Sequence, residues 1–588
     1  MTLRSEIDKK FKWHLEDLFE NDDLWQKDFD EVKKKVDAIE KNFKGKLNDL
    51  DVLKKCLDES RDIGEKLGRL YVYAFMRLHE DMNNNFYDGI SQKVTELEAL
   101  VSAKTCFIEP EILNISEEEL NKFVAKNNLY EFYIKNILRM KKHILSPEEE
   151  KILADAKNIA VGPDNIFGML NNADINFGKI KLPDENKEVE LTHGNFISFM
   201  ESNNREFRKN VFEKYYAEYL RQKNTIQAIY AASVKKDVFF AKTRKFKSCL
   251  ESKLYGNNIP ESVYFNLIET VHKYLPVLHD YMGLRKKVLG VSELYMYDIY
   301  VPLVHEMDKK IEFDEAKEIV KKALLPLGED YVEKLDEGLN SGWIDVYENK
   351  GKRCGAYQWG SYGCHPFVLL NYDNKLDDVF TLAHEMGHAM HSCYSWGKQE
   401  NLYADYTIFL AEIASTVNET LLIKYLLKNN SDSKFRAYLL NYFIEQFRRT
   451  LYRQTMFAEF ELKAHEFVEN GQPLTLELLN KTYHDLNLMY HGKDMVFDKN
   501  SDIEWMRIPH FYKPFYVYQY ATGHSAAIAL AEKILSGENK YREFLESGSS
   551  KYSIEILKNA GVDMTTPEPI ENALKYFKEL VDEFKNLV

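Results

Sequence analysis

The chain has 588 residues, 45% of them hydrophobic and 29% charged, with a formal net charge of -15. That apolar share excludes a disordered chain, and the acid balance argues against nucleic acid or an anionic membrane as partner, since either needs a basic face. No run approaches the roughly 18 apolar residues that cross a bilayer, and the N-terminus is charged where a secretory signal would be apolar, so a cytoplasmic protein is expected.

From the N-terminus, stretches such as residues 22–47 place apolar residues three and four apart with charges between, the pattern of amphipathic helices, and it recurs along most of the chain. A mainly α protein is therefore expected. The first exception runs from Asp174 to Phe196, where apolar and polar residues alternate on both sides of Pro183-Asp184-Glu185-Asn186. It reads as a β-hairpin closing an N-terminal helical region, 1–195, with a second region at 196–588. The second exception, Cys354 to Tyr372, is rich in glycine, aromatic and β-branched residues and reads as strands. Six cysteines without a CxxC pair fit reduced thiols, and Cys393 reads as inert packing.

The segment Leu376–Ser395 follows, with Asp377 or Asp378 able to cap a helix starting at Val379. Within it His384 and His388 stand four residues apart, hence about 40° apart around a helix axis and about 6 Å along it. Both imidazoles can reach one ion, and Glu385 lies beside them as a general-base candidate. Three fixed positions can arise by chance, so a third ligand on another element is required for a catalytic zinc site. The next helix, expected over Tyr403–Lys428, carries Glu412 between Leu410 and Ile413, where an unpaired carboxylate is costly to bury and a cation would remove the cost. The spacing lets the first helix end around Gly397 and the second return antiparallel. Glu419, two turns further on, is placed to accept the second ring N–H of a histidine ligand, whereas His391 reads as packing or support.

HEMGHAMH followed by AEIAS resembles the M3 peptidases, and the oligoendopeptidase F group most. The likeness extends to CGAYQWGSYGCHPFVLLNY, FLAEIASTVNE, HFYKPFYVYQYATGHSAA, NREFRKNVFEKYYAEY and the early WHLEDLF, so it covers nearly the whole chain. It implies a two-lobed, clam-like helical enzyme with a deep central channel and a few short strands beside the HExxH helix. It further implies one Zn2+ held by His384, His388 and Glu412, with Glu385 as base and short peptides as substrates. Gly355, Ala356 and Tyr357 fall where the family binds substrate main chain. Oxyanion donors are expected between His510 and Tyr520, where Tyr512, Tyr516 and Tyr520 would share a face if the segment were helical. His510, then Tyr516 and Tyr520, are the choices, with Tyr512 and Tyr518 as substitutes; His365 and His524 read as structural. A zinc peptidyl-dipeptidase or carboxypeptidase gripping a substrate carboxylate through Lys513 or Arg507 is the alternative, and a non-catalytic peptide-binding protein a remote one that the intact Glu385 argues against. The oligomeric state stays open, a monomer being compatible with the sequence.

Overall fold

The computed structural model describes residues 2–183, 187–304, 310–538 and 540–588. Helices account for 72% of the chain, as the periodicity predicts. The elements that matter below are, in chain order, helix α1 (Leu50–Glu80), strands β1 (Lys179–Lys181) and β2 (Glu188–Glu190), helix α2 (Arg205–Thr243), strands β3 (Ile344–Asp345), β4 (Tyr357–Trp359) and β5 (Phe367–Leu369), and helices α3 (Leu376–Lys398), α4 (Ile408–Asn429), α5 (Arg453–Glu469) and α6 (Tyr518–Ser536).

Two compact units are built from interleaved segments. The first comprises Met1–Lys142, Asp308–Tyr425 and Leu530–Val562. Its core buries Trp25, Ile39, Leu70, Ile112, Phe367 and Leu369, and each fully buried aliphatic side chain there contributes about 1.5–3 kcal/mol. A three-stranded sheet of order β3-β5-β4 supports the motif helix: β3 pairs parallel with β5, and β4 pairs antiparallel with it in the register Tyr357↔Leu369. Among the described residues β4 is thus an edge strand. Helix α3 begins at Leu376, three residues before the expected start. Asp378 lies inside its first turn and accepts from the N–H groups of Lys375 and Asp373 (2.9 Å each), which anchors the helix earlier. The helix expected over Tyr403–Lys428 is two: a short turn, Asn401–Ala404, then an extended residue at Asp405 before α4.

The second unit comprises His143–Met307, Leu426–Ala529 and Asp563–Val588. It contains the expected hairpin, β1 pairing antiparallel with β2 from Lys179↔Glu190 to Lys181↔Glu188; Asp184, Glu185 and Asn186 of its turn lie outside the described residues. The division at 195/196 falls within this unit, where Lys214 Nζ of α2 donates to the Lys179 carbonyl of the hairpin. Ion pairs around the buried Glu504 also hold the unit together. Arg507 donates to the Tyr216 hydroxyl (2.8 Å) and to Glu504 (2.9 Å), itself paired with Arg453. Arg507 is therefore committed to structure, which removes one of the two cations named for a substrate carboxylate. No helix among the described residues is long and apolar enough to cross a membrane.

Candidate metal centre

Helix α3 presents His384 and His388 one turn apart, their rings 4.9 Å between centroids and 83° between planes. Helix α4 runs antiparallel to it, with Asn418 Nδ2 donating to the Ala383 carbonyl (3.0 Å). The two backbones approach closely at Gly387, where a Cβ would stand 2.6 Å from Ser415 Cα and 2.8 Å from the Ala414 oxygen. This approach brings Glu412 Oε2 to 3.5 Å from His384 Nε2 and 3.8 Å from His388 Nε2. Two donors around a tetrahedral zinc at its usual bond lengths stand about 3.3–3.6 Å apart, so the three groups, whose ligand atoms lie within 4.8 Å of one another, fit such an ion with little movement. The Glu412 side chain is 39% exposed while Leu410 and Ile413 are buried. This corrects the expectation of a buried carboxylate: the group turns off the apolar stretch toward the imidazoles.

Glu419 Oε2 lies 3.5 Å from His384 Nδ1, the position expected of it. Burial is the largest influence on His384 and pulls its pKa down, but Glu419, Glu385 and Glu412 together carry it up to about 9. Burial, then the neighbouring His384 and His391, hold His388 well below its ordinary value, leaving a neutral imidazole ready to act as ligand. Glu385 is 7% exposed, and its Oε2 has no hydrogen-bond partner among the described residues. Burial raises its pKa to about 7, opposed by His384 and by a backbone hydrogen bond from Gln358 at the centre of β4, and reinforced by Glu412. His391 is packing: its ring lies flat on Tyr406 (3.6 Å, 5°) and against Phe544. Burial raises the Cys393 thiol, which fits an inert side chain.

Gly355 and Ala356 lead into β4 and Tyr357 begins it; Gly355 takes φ 85, and its carbonyl accepts from Asn371 Nδ2 (2.7 Å). In the second unit, His510 lies in a single 3-10 turn, Pro509–Tyr512, and Tyr520 in α6. The segment is not one helix. Phe515, just after Pro514, has φ 55, and its N–H donates to the buried Glu461 of α5 (2.8 Å), so the chain turns between the two elements. Tyr512 consequently stacks on Phe167 (4.3 Å) and Tyr518 is buried against Tyr264 (5.2 Å), which makes both structural. His510, Tyr516 and Tyr520 form one cluster, with centroids 5.4–6.0 Å apart and the Tyr520 hydroxyl 3.4 Å from His510 Nε2. His524 is buried edge-on to Phe447, and His365 stacks on Trp343 while bonding Asp17, both as structural residues.

Gly387 went unread in the sequence, although a glycine inside a helix costs about 1 kcal/mol relative to alanine and so signals a close approach. Gly387→Ala is expected to destabilise the protein by about 1–3 kcal/mol in urea melts and to weaken metal binding by parting α3 from α4.

Two imidazoles one turn apart, a carboxylate from the antiparallel neighbour and a buried carboxyl beside them make up the site of a metallopeptidase. The sequence pattern of Peptidase family M3 matches residues 198–576, and one described as Oligopeptidase F matches 111–177. The chain is 48% identical to oligopeptidase PepF of Bacillus subtilis, over 100% of this chain and 88% of that protein. It is 41% identical to group B oligopeptidase PepB of Streptococcus agalactiae, over 100% and 98%. The crystal structure of oligoendopeptidase-F from Enterococcus faecium, 36% identical, superposes with a TM-score of 0.76 over 96% of this chain and 99% of that one. The chain belongs to peptidase family M3, within its oligoendopeptidase F group.

Proposed function

We propose that this metalloendopeptidase is a zinc enzyme hydrolysing internal bonds of short peptides in the cytoplasm, with His384, His388 and Glu412 holding one Zn2+ and Glu385 as general base. The observation that carries the reading is the buried Glu385 carboxyl, pKa raised to about 7 and one oxygen unpartnered, beside three donors at zinc spacing. Held by His384, His388 and Glu412, zinc would supply a water of lowered pKa, towards about 7, and Lewis acidity toward a peptide carbonyl. Glu385 takes the proton of the attacking water and passes it to the leaving amine, its buried carboxyl having one oxygen unpartnered among the described residues. Glu419 accepts from His384 Nδ1, which fixes the tautomer and turns Nε2 toward the ion. Gly355, Ala356 and Tyr357 receive substrate main chain along the open edge of β4, a mode that reads backbone more than side chains. To His510, Tyr516 and Tyr520 we assign hydrogen-bond donation to the developing oxyanion, supported by their gathering into one cluster. The match to the family at 198–576 supports 196–588 as the catalytic region. The limit to short peptides is what the likeness to the oligoendopeptidase F group implies.

A quenched peptide of about ten residues, blocked at both ends, tests this reading. Cleavage is expected, with loss under chelation and return on adding zinc. Cleavage only of the peptide with a free C-terminus would transfer the chain to the exopeptidase reading, with Lys513 as the remaining cation.

A further inference from the structure

The last carbonyls of a helix have no intrahelical donors. At the end of α1 they are taken up by the segment that leads into β4. The Arg353 N–H donates to the His79 carbonyl (3.0 Å) and Asn349 Nδ2 to the Glu80 carbonyl (3.1 Å), while the Met82 N–H donates to Gly351 (2.7 Å). The His79 side chain extends this seam. Its residue is 3% exposed, with Nε2 2.7 Å from Arg353 Nη1 and Nδ1 2.6 Å from the Tyr357 hydroxyl. A guanidinium can only donate, so Nε2 accepts; the neutral ring then carries its proton on Nδ1 and donates to the tyrosine oxygen. Burial, then Arg353, push the pKa of His79 to about 4, so this tautomer holds at neutral pH. From another side Asn371 Nδ2 donates to the carbonyls of Arg353 (3.1 Å) and Gly355 (2.7 Å). Arg353, Cys354 and Gly355 are nevertheless exposed.

A stretch pinned from within and open on its outer side is arranged to present its backbone. We infer that His79 is a positioning residue for substrate: by gripping Arg353 and Tyr357 it fixes residues 353–357 and the edge of β4 against which the peptide main chain lies. The inference rests on the reading of β4 as the substrate edge. The same strand reaches the general base through the Gln358 backbone, so fixing it also sets the peptide's register relative to Glu385.

The test uses the full chain, a quenched decapeptide and analogues in which one backbone amide near the scissile bond is replaced by an ester, which deletes a single N–H donor. In the parent enzyme at least one ester is expected to raise KM about five- to tenfold, the worth of a hydrogen bond. In His79→Leu the KM of the ordinary peptide is expected to rise about tenfold with kcat within about threefold, and the ester to add less than about twofold, because the acceptor it would have faced is no longer in place. Tyr357→Phe, which keeps the ring and removes one hydrogen bond, is expected to shift the same quantities in the same direction, and it decides the matter alone if His79→Leu does not fold. If no ester costs affinity in the parent, the edge-strand reading fails. If an ester does and its full penalty persists in His79→Leu, or in Tyr357→Phe where that variant alone folds, the role given to His79 is overturned while the edge stands.

Discussion

Glu385→Gln is expected to lower kcat on a blocked peptide by about 10²–10⁴-fold, the usual contribution of a general acid-base, while KM and bound zinc change by less than about twofold. The amide is isosteric and carries no charge into a pocket where the carboxyl is already 7% exposed, so the helix pairing at Gly387 and the three metal donors should persist. Only the proton acceptor is lost. The pH profile supplies a second, independent readout. A base must be ionised, so activity rises with pH through its pKa; burial sets that value at about 7 in the metal-free site, and a cation alongside favours the charged form and moves it lower. The acid limb of the parent enzyme is therefore expected below pH 7 and is expected to vanish from the residual activity of Glu385→Gln. Full turnover by this variant, measured with zinc content confirmed by atomic absorption, would remove the mechanism.

The parts of the site written in one helix were legible from spacing alone. His384, Glu385 and His388 follow from 3.6 residues per turn, and Glu412 stands out as a charge in an apolar run. The Glu412 carboxylate is partly exposed rather than buried, yet an acidic side chain among apolar neighbours leads to the group that stands beside both imidazoles. What was illegible depends on contacts remote in sequence. The need for Gly387 comes from Ser415 on the facing helix, and His79 meets Arg353 and Tyr357 across separations of 274 and 278 residues. The stretch around Phe515 failed for a related reason. A helical face drawn through Tyr512, Tyr516 and Tyr520 ignores Pro514, which offers no backbone donor, and the buried Glu461 holds Phe515 in a left-handed turn that side chains other than glycine seldom adopt. The cluster of His510, Tyr516 and Tyr520 survives because the turn, rather than a helix, brings those three together.

Glu412→Ala is expected to abolish stoichiometric zinc binding and activity together, and Glu419→Gln to weaken binding only by the roughly 10–100-fold typical of an outer hydrogen-bond partner. The contrast follows from the distances. Glu412 stands at ligand spacing from both Nε2 atoms, whereas Glu419 meets the opposite nitrogen of His384. Proton competition makes the two variants diverge further with pH. In the metal-free site the surrounding acids hold His384 up to about 9, so below that value zinc must displace a proton, and its apparent affinity falls by about tenfold per pH unit. Glu419 is the leading acid in raising His384, and removing its charge lowers that pKa and relieves part of the competition. Glu419→Gln should accordingly show a shallower fall of affinity between pH 8.5 and pH 7 than the parent, in titrations against a chromophoric chelator. Glu412→Ala should release its zinc to the same chelator throughout that range. A Glu412→Ala enzyme that held zinc as tightly as Glu419→Gln would mean that another group completes the coordination sphere, and the pairing of α3 with α4 would then have to be explained without a metal between them.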